Sequence, residues 1–218
     1  MERNILHLDL DSFFVSVECI AHPELIGKPV LIGADSDRGV VASCSYEARK
    51  YGIRSAMPMR MAKQLCPEAI ILRGNSGEYM KKSDEVTEII REQVPLFEKT
   101  SVDEFYVDFT GTEKFFGALK LSTELKKRIE KETGLPNSFG LSINKTVSKV
   151  ATDDAKPNGH KRIERGTEKP YLAPMAIERI PGVGEKTAHL LRSMGVARIR
   201  TMQELPIDLM QRLLGEHG

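Results

Sequence analysis

Ser101-Val102-Asp103-Glu104-Phe105-Tyr106-Val107-Asp108-Phe109 places two adjacent acids inside an apolar, aromatic run. Burying an unpaired carboxylate in such a run costs several kcal/mol, so a cation is expected opposite Asp103 and Glu104. The chain opens on a second run of the same character, Ile5-Leu6-His7-Leu8-Asp9-Leu10-Asp11. Three or four carboxylates on two neighbouring strands form an oxygen-rich site suited to hard divalent ions such as Mg²⁺. Two such ions side by side are a common device for in-line phosphoryl or nucleotidyl transfer. Asp9, Asp103 and Glu104 therefore form the metal and catalytic set, with Asp11 and Asp108 behind them. An Asp-Glu pair alone equally describes solvated or lysine-paired acids. The matching Asp9 between Leu8 and Leu10 tips the reading towards metal.

Three further groups could hold phosphate. In Ser43-Cys44-Ser45-Tyr46-Glu47-Ala48-Arg49-Lys50-Tyr51-Gly52, hydroxyls precede a helix that carries a phenol and a guanidinium within one turn. Ser43, the first amides and Arg49 could grip a triphosphate, although the same pattern fits a surface helix capped by Ser43 or Ser45. Lys156 precedes the turn Pro157-Asn158-Gly159, which fixes it on a rigid loop. Gly182-Val183-Gly184, followed by Lys186 and Thr187, has the form of the hairpin in a helix-hairpin-helix module. There, glycines allow backbone amides to approach a phosphate without reading bases. A plain helix-helix turn is the alternative. The five histidines, His7, His22, His160, His189 and His217, show no ligand spacing, and the Met57–Met61 region reads as core or adaptable surface.

These groups need a scaffold, and 218 residues with 40% apolar and 29% charged content supply an ordinary globular core. No apolar run is long enough to cross a membrane and the start is no signal peptide, so no membrane partner is expected. Cys19, Cys44 and Cys66 lack ligand spacing and read as reduced thiols of a cytoplasmic protein. The net charge of +1 conceals a split: residues 145–200 hold twelve Lys and Arg against six Asp and Glu, leaving the remainder at −5. A basic segment beside an acidic one suits a protein that holds metal at one place and a polyanion at another.

Periodicity predicts a strand over 4–11, a helix over 13–20, and apolar strands at 28–33, 39–43 and 69–72. Short helices are expected at 46–51 and 59–65, and a longer one at 78–94 with Val86, Ile89, Ile90 and Val94 on one side. The strand 101–109 follows, then an amphipathic helix over 120–133 with Leu121, Leu125 and Ile129 inward and a Gly134 stop. A strand at 139–143 and a helix at 145–152 complete an α+β sheet with helices on one face. Gly166-Thr167-Glu168-Lys169-Pro170 reads as a linker to a small helical C-terminal unit.

Taken in order, these motifs resemble the Y-family translesion DNA polymerases of the polymerase IV type. The resemblance rests on His7 to Phe14, Ser43 to Gly52, Ser101 to Glu104, Asn144-Lys145, Lys156 to Gly159 and Ile180 to Gly184. It implies a right-hand core: a discontinuous palm at 1–15 and 74–165, αβ fingers at 16–73, and a helical thumb at 166–218. Asp9, Asp103 and Glu104, with the Leu10 carbonyl, would hold two Mg²⁺ ions, Mn²⁺ being able to substitute. Glu104 would complete the site beside a primer 3′-hydroxyl. Phe13 and Phe14 would meet the incoming dNTP, Phe14 as the steric gate against a ribose 2′-hydroxyl. Ser43, Tyr46 and Arg49 would hold its terminal phosphates, assisted by Lys156. Gly182, Val183, Gly184 and Lys186 would lie on the backbone of primer-template DNA.

The family normally continues into a little-finger domain and a clamp-binding tail. Neither is present here, so weak DNA binding and low processivity are expected of a monomeric catalytic core or truncated relative. Low-fidelity synthesis past damaged bases is the implied activity. A DNA-repair scaffold with little activity of its own is the alternative, which the retained acids oppose. A nucleotidyl cyclase has no use for the thumb glycines, and a bare helix-hairpin-helix module leaves residues 1–165 unexplained.

Overall fold

The computed structural model describes residues 3–112 and 117–215, so His217 lies outside the described residues. Its architecture is α+β. One sheet has five strands in the order β5-β6-β1-β7-β8, where β1 is Ile5–Leu10, β5 Phe97–Lys99, β6 Glu104–Asp108, β7 Asn137–Ser142 and β8 His160–Arg162. The other has three, β3-β2-β4, with β2 Val30–Gly33, β3 Val41–Cys44 and β4 Ile70–Leu72. Strands β2 and β3 are antiparallel, whereas β2/β4 and β7/β8 are parallel. Contacts divide the chain into two compact units. Unit one comprises 1–8, 106–122 and 139–218; unit two comprises 9–105 and 123–138.

The pairing of β1 with β6 follows from two backbone bonds. Leu10 N–H donates to Asp103 O at 3.0 Å, and Phe109 N–H donates to Asn4 O at 2.8 Å. Residue numbers rise on one strand as they fall on the other, so the pair is antiparallel and in continuous register. Leu10/Asp103 and Asn4/Phe109 are hydrogen-bonded pairs. His7/Tyr106 and Asp9/Glu104 are then the intervening non-hydrogen-bonded pairs, where side chains come closest. The His7 and Tyr106 rings, 4.7 Å apart, bear out that register.

Unit two contains the three-stranded sheet together with α1 (Phe13–Ala21), α2 (Tyr46–Arg49), α3 (Met59–Leu65), α4 (Ser76–Gln93) and most of α5 (Ala118–Thr133). Leu31, Val41, Cys44, Ile53, Met59 and Ala62 pack into one cluster, and Val15, Leu25, Val30 and Ile32 into another. Ser45 caps α2: its Oγ accepts from Ala48 N–H at 3.2 Å and from Val30 N–H at 3.0 Å, and donates to Lys28 O at 3.0 Å. Asn75 caps α4 in the same way, accepting from Glu78 N–H. The expected inner faces are seated, with Val86, Ile89, Ile90 and Val94 buried on one helix face and Leu125 and Ile129 on another.

Unit one holds α6 (Lys145–Ala155), capped by Asn144, whose Oδ1 accepts from Val147 N–H at 2.9 Å. This helix lies directly on the backbone of β7: a Cβ on Gly140 would sit 2.1 Å from Ser148 O and 2.6 Å from Thr152 N. Thr152 Oγ1 also meets His7, donating to its carbonyl at 3.0 Å and lying 2.9 Å from Nδ1. Farther along come α7 (Glu168–Leu172), a 3-10 turn at Ile177–Arg179, α8 (Glu185–Ser193), α9 (Ile199–Glu204) and α10 (Ile207–Leu214). Ile177, Ala188, Leu191, Val196 and Met210 form their core.

Three expectations shift. The strand over 101–109 contracts to Glu104–Asp108, because the Ser101 side chain ties the preceding residues into a turn. The 166–170 linker runs into α7, because Pro170 falls in the first turn of that helix, where no N–H is needed. The edge strands β5 and β8 appear in the polar tripeptides Phe97-Glu98-Lys99 and His160-Lys161-Arg162, the charged composition that protects a sheet edge.

Candidate active site

All of the acids expected to bind metal lie in unit two, at one end of the β1/β6 pair. β1 is buried along its whole length, and Asp9 is only 5% exposed. Period two places Ile5, His7 and Asp9 on one face. On β6 the alternation of half-buried and buried residues groups Glu104, Tyr106 and Asp108 on one face. The His7/Tyr106 ring contact makes these the same face of the sheet. Asp9 and Glu104 are therefore direct cross-strand neighbours on one side. Like charges so placed are unfavourable. Two unit charges 4 Å apart repel by roughly 4 kcal/mol at an effective dielectric of about 20, and a cation between them turns that repulsion into attraction.

Asp103 sits in the turn before β6, its carbonyl bonded to Leu10 N–H. Ser101 Oγ donates to Asp103 Oδ1 at 2.6 Å and accepts from the amides of Asp103 (3.4 Å) and Glu104 (3.1 Å). One serine thus orients the Asp-Glu dipeptide. The donor set of Asp9, Asp103, Glu104 and the Leu10 carbonyl is all oxygen, which fits a hard divalent ion. Among the described residues, no group of three or more His, Cys, Asp or Glu side chains is gathered into a ready ion cage. Mg²⁺ is usually held by one or two carboxylates plus substrate phosphates and water, so the fit does not require such a cage.

Asp11 lies just beyond the end of β1. The strand ends at Leu10, and Ser12 adopts φ 44°, ψ 46°, turning the chain sharply into α1. Asp11 is 2% exposed, and its carboxylate accepts from Tyr46 Oη at 3.1 Å and from Ser138 Oγ at 3.0 and 2.9 Å. Burial, then the Asp11 charge, raises the Tyr46 phenol above its ordinary pKa, so it stays a proton donor. Arg49 stacks over the Tyr46 ring at 4.6 Å and donates from Nη2 to Ser12 Oγ at 3.2 Å. Its guanidinium remains exposed. Ser43 is nearly buried within β3, opposite Ile32, and the helix cap is Ser45. Asp108 accepts from Thr110 N–H at 2.8 Å and shapes a turn.

Phe13 is buried and Phe14 half-buried, their rings 5.6 Å apart. Phe14 stacks on Tyr79 of α4, with centroids 4.5 Å apart and an interplanar angle of 17°. Tyr79 Oη in turn donates to Glu18 Oε1 at 2.6 Å. Tyr79 and Ser138 were not among the candidates. The sole hint of Tyr79 in the sequence is an aromatic residue in an otherwise polar first turn.

The remaining candidates belong to unit one. Lys156 follows α6, with its ammonium 3.7 Å from Asp153 Oδ1. Gly182 has φ +92°, a conformation that favours glycine, and a Cβ on either Gly182 or Gly184 would meet nothing within 4 Å. Val183 packs onto the cluster of Ile177, Ala188, Leu191, Val196 and Met210, while Lys186 is exposed on α8.

A sequence profile of the impB/mucB/samB family matches residues 8–153. The DNA polymerase IV of Dehalococcoides mccartyi strain CBDB1 is 41% identical over 218 residues, covering 99% of this chain and 56% of that protein. That of Treponema denticola is 42% identical over 215 residues, covering 98% and 54%. Among solved structures, DinB from Sulfolobus solfataricus superposes with a TM-score of 0.88 at 28% identity, and an insertion ternary complex of Dbh DNA polymerase with 0.90 at 28%. Both alignments cover 98% of this chain and 64% of the other. The chain thus spans little more than half the length of the curated relatives it matches.

Proposed function

The chain belongs to the impB/mucB/samB family of Y-family DNA polymerases, and on that premise we propose that it performs template-directed DNA synthesis past damaged bases. The reaction is nucleotidyl transfer from a dNTP to a primer 3′-hydroxyl with release of pyrophosphate. One observation carries the reading: Asp9 and Glu104 oppose each other across the β1/β6 pair, with Asp103 bonded to the end of β1 beside them.

In this reading Asp9, Asp103 and the Leu10 carbonyl hold two Mg²⁺ ions, and Glu104 completes the site on the primer side. When bound, the ions supply Lewis-acid activation of the hydroxyl and neutralise charge on the phosphates. Asp11, braced by Tyr46 and Ser138, keeps the turn after β1 rigid, which holds Asp9 at the strand end. The exposed Arg49, stacked on the Tyr46 ring, serves the β- and γ-phosphates, with Tyr46 and Ser43 lining that end of the site and Lys156 assisting. Phe13 and Phe14 shape the sugar end of the pocket, and the Tyr79 stack supports Phe14 as the steric gate.

Residues 16–73 act as fingers, 1–15 with 74–165 as palm, and 166–218 as thumb. The thumb backbone at Gly182, Val183 and Gly184, with Lys186, meets duplex phosphates without reading sequence. The protein acts as a monomer on primer-template DNA. Its three free thiols support a reducing, cytoplasmic setting. Among the described residues, no helix is long and apolar enough to cross a membrane.

Primer extension with Mg²⁺ and all four dNTPs tests the site. Asp103→Asn and Glu104→Gln, each checked for an unchanged melting temperature, should lower extension by at least about a hundredfold, the scale of lost transition-state charge stabilisation. Extension that survives either change removes the metal assignment.

A further inference from the structure

Helix α6 ends at Ala155 with Asp153 and Asp154 in its last turn. Carboxylates there face the negative pole of the helix, an unfavourable place that calls for cationic or hydroxyl partners. Asp154 has three, each from a different element. Tyr171 Oη of α7 donates to its Oδ2 at 2.7 Å, and Lys161 Nζ of β8 donates to the same oxygen at 3.1 Å. Arg179 Nη2, from the 3-10 turn at Ile177–Arg179, donates to Oδ1 at 2.5 Å and to Val150 O at 3.4 Å. One guanidinium thus holds α6 by both side chain and backbone. All of these residues lie in unit one.

Isolated exposed ion pairs contribute little, whereas a carboxylate that receives three donors forms a network. Its partners depend on it unequally. Helix α7 has a second hold on α6, because Tyr171 and Leu172 pack on the apolar cluster of Val147, Ala151 and Ile163. Lys161 belongs to β8, which is already paired with β7. The 177–179 turn meets α6 through the Arg179 side chain. From that turn the backbone runs into the glycine hairpin through hydrogen-bonded steps: Ile180 N–H donates to Ile177 O at 3.1 Å and Val183 N–H to Ile180 O at 3.0 Å. A hold on Arg179 is therefore also a hold on Gly182, Val183 and Gly184.

We propose that Asp154 is a positioning residue for DNA: through Arg179 it fixes the Gly182-Val183-Gly184 hairpin against α6. The inference rests on the duplex-binding reading of that hairpin given above. A hairpin aligned beforehand loses less freedom when it meets the phosphates. Released from α6, it must be ordered by the DNA itself, so affinity falls while the chemistry at saturating duplex does not.

The test uses the whole chain at a temperature below every variant's melting point. It combines fluorescence anisotropy on a primer-template duplex with steady-state insertion of one dNTP. Asp154→Asn should raise the duplex Kd by about three- to thirtyfold, the range over which a structural link alters a contact it does not itself make. The KM for duplex should rise with it, while kcat stays within about twofold. Arg179→Gln should behave alike, and the double variant should bind no more weakly than the weaker single, because both cut one link. Tyr171→Phe, whose helix keeps its apolar seat, should bind within about twofold of wild type. Unchanged affinity in both Asp154→Asn and Arg179→Gln overturns the proposal. Additive losses also overturn it, since they make Arg179 a direct phosphate contact. So does a Tyr171→Phe loss equal to that of Asp154→Asn, which reduces the effect to general stability. Arg179→Gln keeps the link testable should Asp154→Asn not fold. A wild type that fails to bind duplex overturns the DNA reading and this inference together. Binding weakened by Gly184→Ala but not by Asp154→Asn or Arg179→Gln removes the positioning role alone.

Discussion

If Phe14 is the steric gate, as proposed, its stack on Tyr79 makes sugar selection depend on a residue more than sixty positions away in the chain. The rings lie 4.5 Å apart and nearly parallel, while the Tyr79 hydroxyl is anchored to Glu18. Such an aromatic pair is worth about 0.5–1.5 kcal/mol beyond the area it buries. If it holds Phe14 in place under the sugar, Tyr79→Leu should reduce discrimination against ribonucleotides by a factor of roughly 2 to 13, the same energy expressed as a ratio. Tyr79→Phe retains the ring and should stay within about twofold of wild type. Phe14→Ala, which removes the gate, should cost more than either. The assay is single-nucleotide insertion, comparing kcat/KM for a deoxynucleotide and its ribonucleotide counterpart. An unchanged ratio in Tyr79→Leu, with a changed one in Phe14→Ala, would refute the supporting role of the stack. A loss in Tyr79→Phe as large as in Tyr79→Leu would shift that role to the Glu18 hydrogen bond. Burial, then the Glu18 bond, raises the Tyr79 phenol above its usual pKa, so the discrimination ratio should not vary with pH near neutrality.

Other expectations concern stability and DNA contact. Gly140→Ala drives a Cβ into the backbone of α6 and should cost about 1–3 kcal/mol, seen as a melting temperature lower by several degrees; a shift under about one degree would contradict the close packing. Asp154 accepts from Tyr171, Arg179 and Lys161, and these bonds outweigh burial, which acts to raise its pKa, leaving the carboxyl below the ordinary aspartate range. A depressed folded-state pKa means stability present above the unfolded value and lost as pH falls through the folded one. Asp154→Asn should therefore melt lower than wild type at pH 7, with the gap closing as the pH is taken below about 4; a gap independent of pH would refute the charge argument. Gly184→Ala meets no atom and has φ −79°, so it should leave the melting temperature unchanged yet weaken binding of duplex DNA, measured by fluorescence anisotropy. Undiminished binding would remove the close backbone approach.

Apolar periodicity made β1, α1, α3 and the buried face of α4 legible, because each is long or regular enough to repeat its pattern. β5, β8 and α7 were not, being three to five residues of mainly polar chain, too short to show a period. The acids of the site were readable as charge in the wrong surroundings. Their opposition was not, since the register that sets Asp9 against Glu104 is fixed by bonds between residues nearly a hundred positions apart. Asp11 stood behind these acids as a weaker candidate, and its neighbours Tyr46 and Ser138, which come from two separate elements, could not be read from spacing.

The central place of β1 has a consequence for how the chain is made. This strand is synthesised before its two sheet neighbours, which end about 100 and 130 residues later. At roughly 5–20 residues per second, an apolar segment waits on the order of ten seconds for its partners. Throughout that interval His7 and Asp9 are the only polar interruptions in Ile5–Leu10, and a charge there discourages nascent chains from sticking to one another. The carboxylate suited to catalysis thus also guards the newborn polypeptide.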